Sequence, residues 1–182
     1  MEQNRKLIKI WHIVGAFAIF GIGAVWHFIF DLIGWAPIGW LFPVNESVWE
    51  HLKLMFWPAI LYYIVEGVFL WKKSNNFMLA KLIAVYFTPI ANIVIFYTYS
   101  GVTGYESFVI DIIVVFITIC VQQYISYKLL ITDEIGKHKR IWVNILSAIG
   151  IVFLAVILIL FTYFPPHIPL FEDMNFNNYG IF

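Results

Sequence analysis

Histidines and carboxylates stand out at a few positions of an otherwise apolar chain. His27 and Asp31 are four residues apart, so they share a face if they lie on one continuous helix. Glu46 and Glu50 have the same spacing, and His51 follows directly. Imidazole nitrogens and carboxylate oxygens are ligands of zinc and of related divalent ions, which can activate a bound water as a nucleophile. These residues therefore predict a metal-dependent site.

The metal hypothesis gives each candidate residue a role. The predicted metal ligands are His27, Asp31, His51 and His167. Glu46 or Glu50 is the predicted general base, and Asp111 is predicted to orient a ligand from outside the coordination sphere. The predicted cofactor is a divalent ion such as zinc. The predicted reaction is hydrolysis of a lipid-like or membrane-delivered substrate.

Each of these residues also has a purely structural interpretation. Ser47 and Glu50 have the spacing of a helix capping box, and Glu50 with Lys53 has that of a surface salt-bridge stripe. His51 lies just inside a helix start, where the helix dipole favours a neutral ring, but it also fits a hydrogen-bonded histidine at the membrane interface. His167, in a proline-rich tail, fits either a lid or a solvated residue.

The composition predicts an integral membrane protein. Of 182 residues, 62% are hydrophobic and only 12% are charged, and the mean hydropathy is +0.86. A water-soluble fold of this size has too high a surface-to-volume ratio to bury so much apolar surface. The net charge is zero, so no overall field attracts nucleic acid. Cys120 is the only cysteine, which excludes an intrachain disulfide and a thiolate metal cluster.

The apolar runs predict an all-α bundle of five transmembrane helices in a single domain, 1–182. The run from Ile10 to Phe30 is long enough to cross a bilayer, which takes about 20 residues, and too long for a signal-peptide core. The predicted spans are 8–30, 47–71, 77–99, 105–130 and 141–164, and residues 165–182 form a tail. Pro58 is predicted to bend the second span.

The basic residues predict the orientation of the bundle. With five spans, almost all of them fall at one set of helix ends: Arg5, Lys6, Lys9, Lys72, Lys73, Lys81, Lys128, Lys137, Lys139 and Arg140. The positive-inside rule then places the N-terminus in the cytoplasm and the tail outside, in a bacterial plasma membrane. This topology brings His27, His51 and His167 to one outer level with most of the carboxylates. Membrane lipid is the expected surrounding partner, and the sequence leaves a homo-oligomer open.

A thinner polar layer is predicted toward the cytoplasm, formed by His12, Glu66, Gln122, Gln123 and Asn144. Glu66 either pairs with a basic neighbour such as Lys72 or faces the bundle axis. The second case would describe a small transporter or channel for a cation or an amine, which is the alternative function. A structural or assembly subunit is the third alternative.

Two motifs give the chain a family resemblance. Residues 43–53, Pro-Val-Asn-Glu-Ser-Val-Trp-Glu-His-Leu-Lys, and residues 165–173, Pro-Pro-His-Ile-Pro-Leu-Phe-Glu-Asp, together with the upstream His27-x-x-x-Asp31, resemble a family of bacterial multi-spanning membrane proteins of unknown function. The likeness extends over nearly the whole chain and implies no activity. After Asp173, where the family motif continues with a proline and a Thr-Gly-rich turn, this chain departs and has Met174 to Gly180.

Overall fold

The computed structural model describes residues 2–136 and 140–181, and within them the protein is helical, as predicted. Its helices are α1 (Glu2–Trp26), α2 (Ile29–Ile33), α3 (Val48–His51), α4 (Lys53–Leu70), α5 (Phe77–Thr103), α6 (Phe108–Ile131) and α7 (Arg140–Tyr163). Two short 3-10 helices span Ala36–Trp40 and Pro169–Phe171. The described residues contain one isolated bridge, between Glu172 and Tyr179, and no longer strand pairing.

Five helical segments are long and apolar enough to cross a membrane, which confirms the predicted number. They are Glu2–Ile33, Val48–Leu70, Phe77–Thr103, Phe108–Ile131 and Arg140–Tyr163. Their orientation in a membrane stays a prediction. Lys137 and Lys139, which contribute to that prediction, lie outside the described residues.

The helix ends follow from local side-chain chemistry. The α5 helix continues past its predicted end at 99 to Thr103, and the Ser100 and Thr103 hydroxyls donate to helix carbonyls one turn earlier. Gly104 then ends it with φ of 74°, a backbone conformation that favours glycine. Pro58 and Pro89 lie inside α4 and α5, and both helices continue through them.

The bundle is built on close contacts of α1 with α4 and α6, and of α5 with α6 and α7. Ile19, Phe56 and Ile119 are buried between these helices. Gly23 allows α1 to approach α4 closely, since a Cβ atom there would lie 2.6 Å from the backbone oxygen of Leu54. This contact, one turn before His27, brings the end of α1 beside the start of α4.

Two irregular segments fold together over the end of the bundle where α1 ends. We call them the cap, which consists of residues 34–47 and 164–181. The Asn45 side chain donates to the Gly180 carbonyl, and the Glu46 amide donates to the Asp173 carboxylate. Lys53 Nζ donates to the Gly39 carbonyl from the α4 side. The two sequence motifs, far apart along the chain, therefore meet in one place.

Candidate metal site

His27, Glu46 and His51 bring their side chains together beneath the cap. The two Nε2 atoms lie 3.2 Å apart. Glu46 Oε2 lies 3.3 Å from His51 Nε2 and 3.7 Å from His27 Nε2. Within the described ranges, these three residues are the one group of three or more histidine, cysteine or carboxylate side chains that lie close enough together to hold a metal ion. We call it the triad.

Backbone contacts orient the His51 ring. Ser47 is the N-cap of α3, and its carbonyl lies 2.8 Å from His51 Nδ1. A carbonyl only accepts, so Nδ1 carries the hydrogen, and in the neutral ring Nε2 presents a lone pair to the triad. A hydrogen bond from the far nitrogen is the usual way in which a metal-binding histidine is oriented.

His27 reaches the triad from a turn in the chain. The α1 helix ends at Trp26, and α2 begins at Ile29, so His27 lies at the interruption. Its amide still donates to the Gly23 carbonyl, which fixes the backbone to the last turn of α1. Its Nδ1 is buried and has no hydrogen-bond partner among the described residues, while Nε2 faces the triad.

The tail positions Glu46 through its backbone. Asp173 is buried, and its Oδ2 accepts from the Glu46 amide at 3.1 Å. Its other oxygen accepts from the amides of Asn175 and Phe176, which closes the tail into a turn. Asp173 is therefore a positioning residue for Glu46.

The electrostatics favour an ionised Glu46. The neighbouring imidazoles of His27 and then His51 hold the pKa of Glu46 well below its usual range, against the opposing effect of partial burial. The side chains of His27, His51 and Glu46 are 24%, 33% and 39% exposed. The triad is therefore open on one side, so a further ligand can reach it.

The triad has dimensions that suit a zinc-like ion. Its three sides of 3.2, 3.3 and 3.7 Å place the point equidistant from the three atoms about 2.0 Å from each. Zinc binds histidine nitrogen and carboxylate oxygen at about 2.0 to 2.2 Å, so neighbouring ligands of a tetrahedral ion lie about 3.4 Å apart. An ion could therefore contact all three atoms with little movement of the side chains.

Hydrogen bonds within the triad satisfy its three atoms less completely than a bound cation would. If both rings are neutral, His51 Nε2 and Glu46 Oε2 both accept, and His27 can supply one N–H at most. If His51 is protonated, its single Nε2 hydrogen faces both Glu46 and His27 and can align well with only one of them. A cation interacts with all three atoms at once.

Comparison with known protein families gives a match that covers nearly the whole chain. Residues 1–181 match the family of unknown function DUF6512. The chain belongs to this family. Comparison with curated proteins and with solved structures gave no match. The resemblance to an uncharacterised family is thus confirmed, while the bacterial origin stays a prediction.

Glu50 makes buried structural contacts in this DUF6512 protein. Its side chain is buried, and Lys53 Nζ donates to Oε2 at 2.6 Å. The Thr162 hydroxyl donates to Oε1 at 2.9 Å, and the Val44 amide donates to Oε2 at 3.0 Å. Both oxygens are occupied, so the geometry gives no support to Glu50 as a general base. The Glu50 to Lys53 pair exists, but the prediction that it lies on the surface is wrong.

Ser47 caps α3 as predicted, since its hydroxyl accepts from the Glu50 amide. The reciprocal half of the capping box is missing, because the Glu50 side chain points to Lys53 and the Ser47 amide donates to Asn45.

Three other candidate residues lie outside the triad. Asp31 is exposed on α2, and the interruption after Trp26 removes the continuous helix that its pairing with His27 required. Asp111 accepts from the Tyr99 hydroxyl, which links the facing ends of α5 and α6. His167 is exposed and stacks on Tyr179 at 4.5 Å. The metal roles of Asp31 and His167 and the orienting role of Asp111 therefore stay predictions that this geometry does not favour.

Sequence reasoning missed the partners that position the triad. Asp173 was visible as part of the tail motif, but nothing in the sequence pairs it with the Glu46 amide. Thr162, in the apolar α7, carries no signal that it contacts Glu50. Lys81 gave a usable signal, because Lys81 and Glu66 lie at equal distances along the chain from the turn at residues 73 and 74. Their ammonium and carboxylate groups are 2.7 Å apart.

Proposed function

We propose that His27, Glu46 and His51 bind a divalent metal ion of the zinc group in this membrane protein, and that the ion serves hydrolysis of a lipid-like substrate. The observation that carries the proposal is the triangle of Nε2, Nε2 and Oε2 atoms with sides of 3.2 to 3.7 Å. Two imidazoles and one carboxylate, with an open position, are a ligand set of catalytic zinc sites.

The chemistry follows from the ligand count. Three protein ligands leave a position for water, whose pKa a bound zinc ion lowers to about 7. In this arrangement Glu46 would hold the ion through Oε2 instead of acting as a free general base. Its second carboxylate oxygen, Oε1, would then be free to accept the proton of the water. Asp173 and the Ser47 carbonyl keep the ligands in place.

The surroundings of the triad suit an apolar substrate. Phe28 follows His27, its ring lies 5.2 Å from the imidazole, and 61% of the residue is exposed. Leu32 and Trp35, on and after α2, are also exposed. A lipid chain could lie along these residues while its polar linkage reaches the triad, so we expect an ester, amide or phosphodiester of a lipid.

The alternative functions receive less support. A cation pathway requires Glu66 to be available to a passing ion, but Glu66 is buried and its Oε2 is paired with Lys81. A purely structural or assembly subunit does not require two imidazole nitrogens and a carboxylate oxygen to converge on an open position. A bound metal ion would account both for the convergence of these side chains and for the open position.

Hydrolysis assays on the purified protein test the proposal. Protein freed of metal by a chelator and reloaded with Zn²⁺ should release fatty acid or headgroup from mixed lipid micelles. His51→Ala and Glu46→Ala should lose that activity, and His167→Ala should keep it. Equal hydrolysis by the wild type and both triad variants would rule the proposal out.

A further inference from the structure

A second group of ionisable side chains lies inside the bundle, in the half opposite the cap. His12 of α1, Glu66 of α4 and Lys81 of α5 are each 4% exposed or less, and Ser126 of α6 lies between them. Lys81 Nζ donates to Glu66 Oε2 at 2.7 Å and to Ser126 Oγ at 2.9 Å. His12 Nε2 lies 3.0 Å from Ser126 Oγ. We call these four residues the inner cluster.

The hydrogen atoms of the inner cluster can be assigned from its contacts. His12 Nδ1 lies 2.8 Å from the Ile8 carbonyl and must therefore carry a hydrogen. Ser126 accepts from Lys81, so its own hydroxyl hydrogen is free to point at the lone pair of His12 Nε2. The third hydrogen of Lys81 has the ring of Tyr63, 4.2 Å from Nζ, as its neighbour.

One acceptor remains without a donor after this assignment. Glu66 Oε1 is buried and has no hydrogen-bond partner among the described residues. It lies 3.5 Å from His12 Nε2, which also presents a lone pair. The lone pair of Nε2 accepts from Ser126 in this arrangement, so Oε1 is the atom that lacks a donor, and a hydrogen placed between Nε2 and Oε1 would supply one.

We propose that Glu66 and His12 form a binding site for one proton, held between Glu66 Oε1 and His12 Nε2. When the proton binds, the Ser126 hydroxyl can turn away from Nε2 while its oxygen still accepts from Lys81. The inner cluster then changes from neutral to one positive charge. This site does not depend on the triad or on a bound metal.

The geometry selects a proton over other ligands. A bridging water would usually hold its two partners more than 4 Å apart, whereas Oε1 and Nε2 are separated by 3.5 Å. A metal cation would meet the ammonium of Lys81, which already contacts the same carboxylate. The titratable groups facing the cluster are Tyr62 and Tyr63 of α4 and Tyr127 of α6, whose ring lies 6.0 Å from that of His12.

Spectroscopic titration of the purified full-length protein tests this inference. Infrared difference spectra report a protonated carboxylic acid, and ¹⁵N NMR of labelled histidine reports an imidazolium, so one of the two detects the proton wherever it resides. Between pH about 8 and about 4, the wild type should gain one such signal from the buried pair. Glu66→Gln should lose it, while Glu106→Gln, which changes an exposed glutamate, should keep it.

A second variant guards against loss of folding. Glu66→Gln leaves Lys81 without its carboxylate, so the double variant Glu66→Gln with Lys81→Met removes both charges together. It should unfold cooperatively on heating and also lack the signal. The inference is overturned if the wild type gains no signal from either residue, or if the signal persists in the folded double variant.

Discussion

The buried carboxylate of Asp173 offers the sharpest test of how the tail supports the triad. Asp173→Asn keeps the shape of the side chain but can turn its new NH₂ group toward the Glu46 amide, which is itself a donor. A hydrogen bond to a charged group is worth about 1.5 to 3 kcal/mol, and Asp173 accepts three of them. The backbone of Glu46 would lose its anchor although none of the triad side chains is changed.

We therefore expect Asp173→Asn to weaken binding of Zn²⁺ by about 10- to 100-fold, the usual effect of removing a group that orients a ligand. Isothermal titration calorimetry of metal-free protein in detergent measures this affinity. Glu172→Gln is the matched control, because it makes the same change of charge one residue away and leaves the Glu46 contact intact. Wild-type affinity in Asp173→Asn, or an equal loss in Glu172→Gln, would refute the reasoning.

Three further predictions concern stability. Lys53→Met should lower the free energy of unfolding by about 3 to 5 kcal/mol, because it leaves the buried Glu50 carboxylate unpaired. Adding Glu50→Gln to Lys53→Met should restore part of this loss. Chemical denaturation measures both, and losses that simply add would contradict the prediction. The lowered pKa of Glu46 stabilises the fold above its ordinary value of 4.5 and less as pH falls below it, so melting curves should show an acid-dependent loss that Glu46→Gln lacks. Gly23→Ala should destabilise the protein, because the added methyl group would clash with the α4 backbone. Gly21→Ala is the control, since its methyl group meets open space. Equal melting temperatures of the two variants would contradict the close contact between α1 and α4.

The sequence predicted those features of the fold that depend on local runs of residues. Five apolar segments of membrane-crossing length are enough to predict five spans, and Ser47 alone predicts where α3 begins. The order of the spans also places the end of the first beside the start of the second, and His27 and His51 do lie side by side there, while the inside–outside orientation stays a prediction. These predictions succeed because hydropathy and capping act over a few neighbouring residues.

The rest of the site depends on contacts between distant residues. Asp31 was grouped with His27 on the assumption of a continuous helix, but the chain turns at His27 and Phe28. Glu50 was a candidate base because neither its burial nor its bond to Thr162, 112 residues away, can be read from spacing. Glu46 lies beside the two histidines, and the Asp173 carboxylate of the distant tail accepts from its backbone amide, so our proposal gives Glu46 the role of a ligand instead of a base.

The metal content of the purified protein tests the central claim most directly. Elemental analysis of protein prepared without chelators should find about one zinc-group ion per chain in the wild type. His27→Ala and His51→Ala should lose that ion, and the folded controls Asp31→Ala and His167→Ala should retain it. A wild type without stoichiometric metal, or metal content unchanged in both triad variants, would contradict the account.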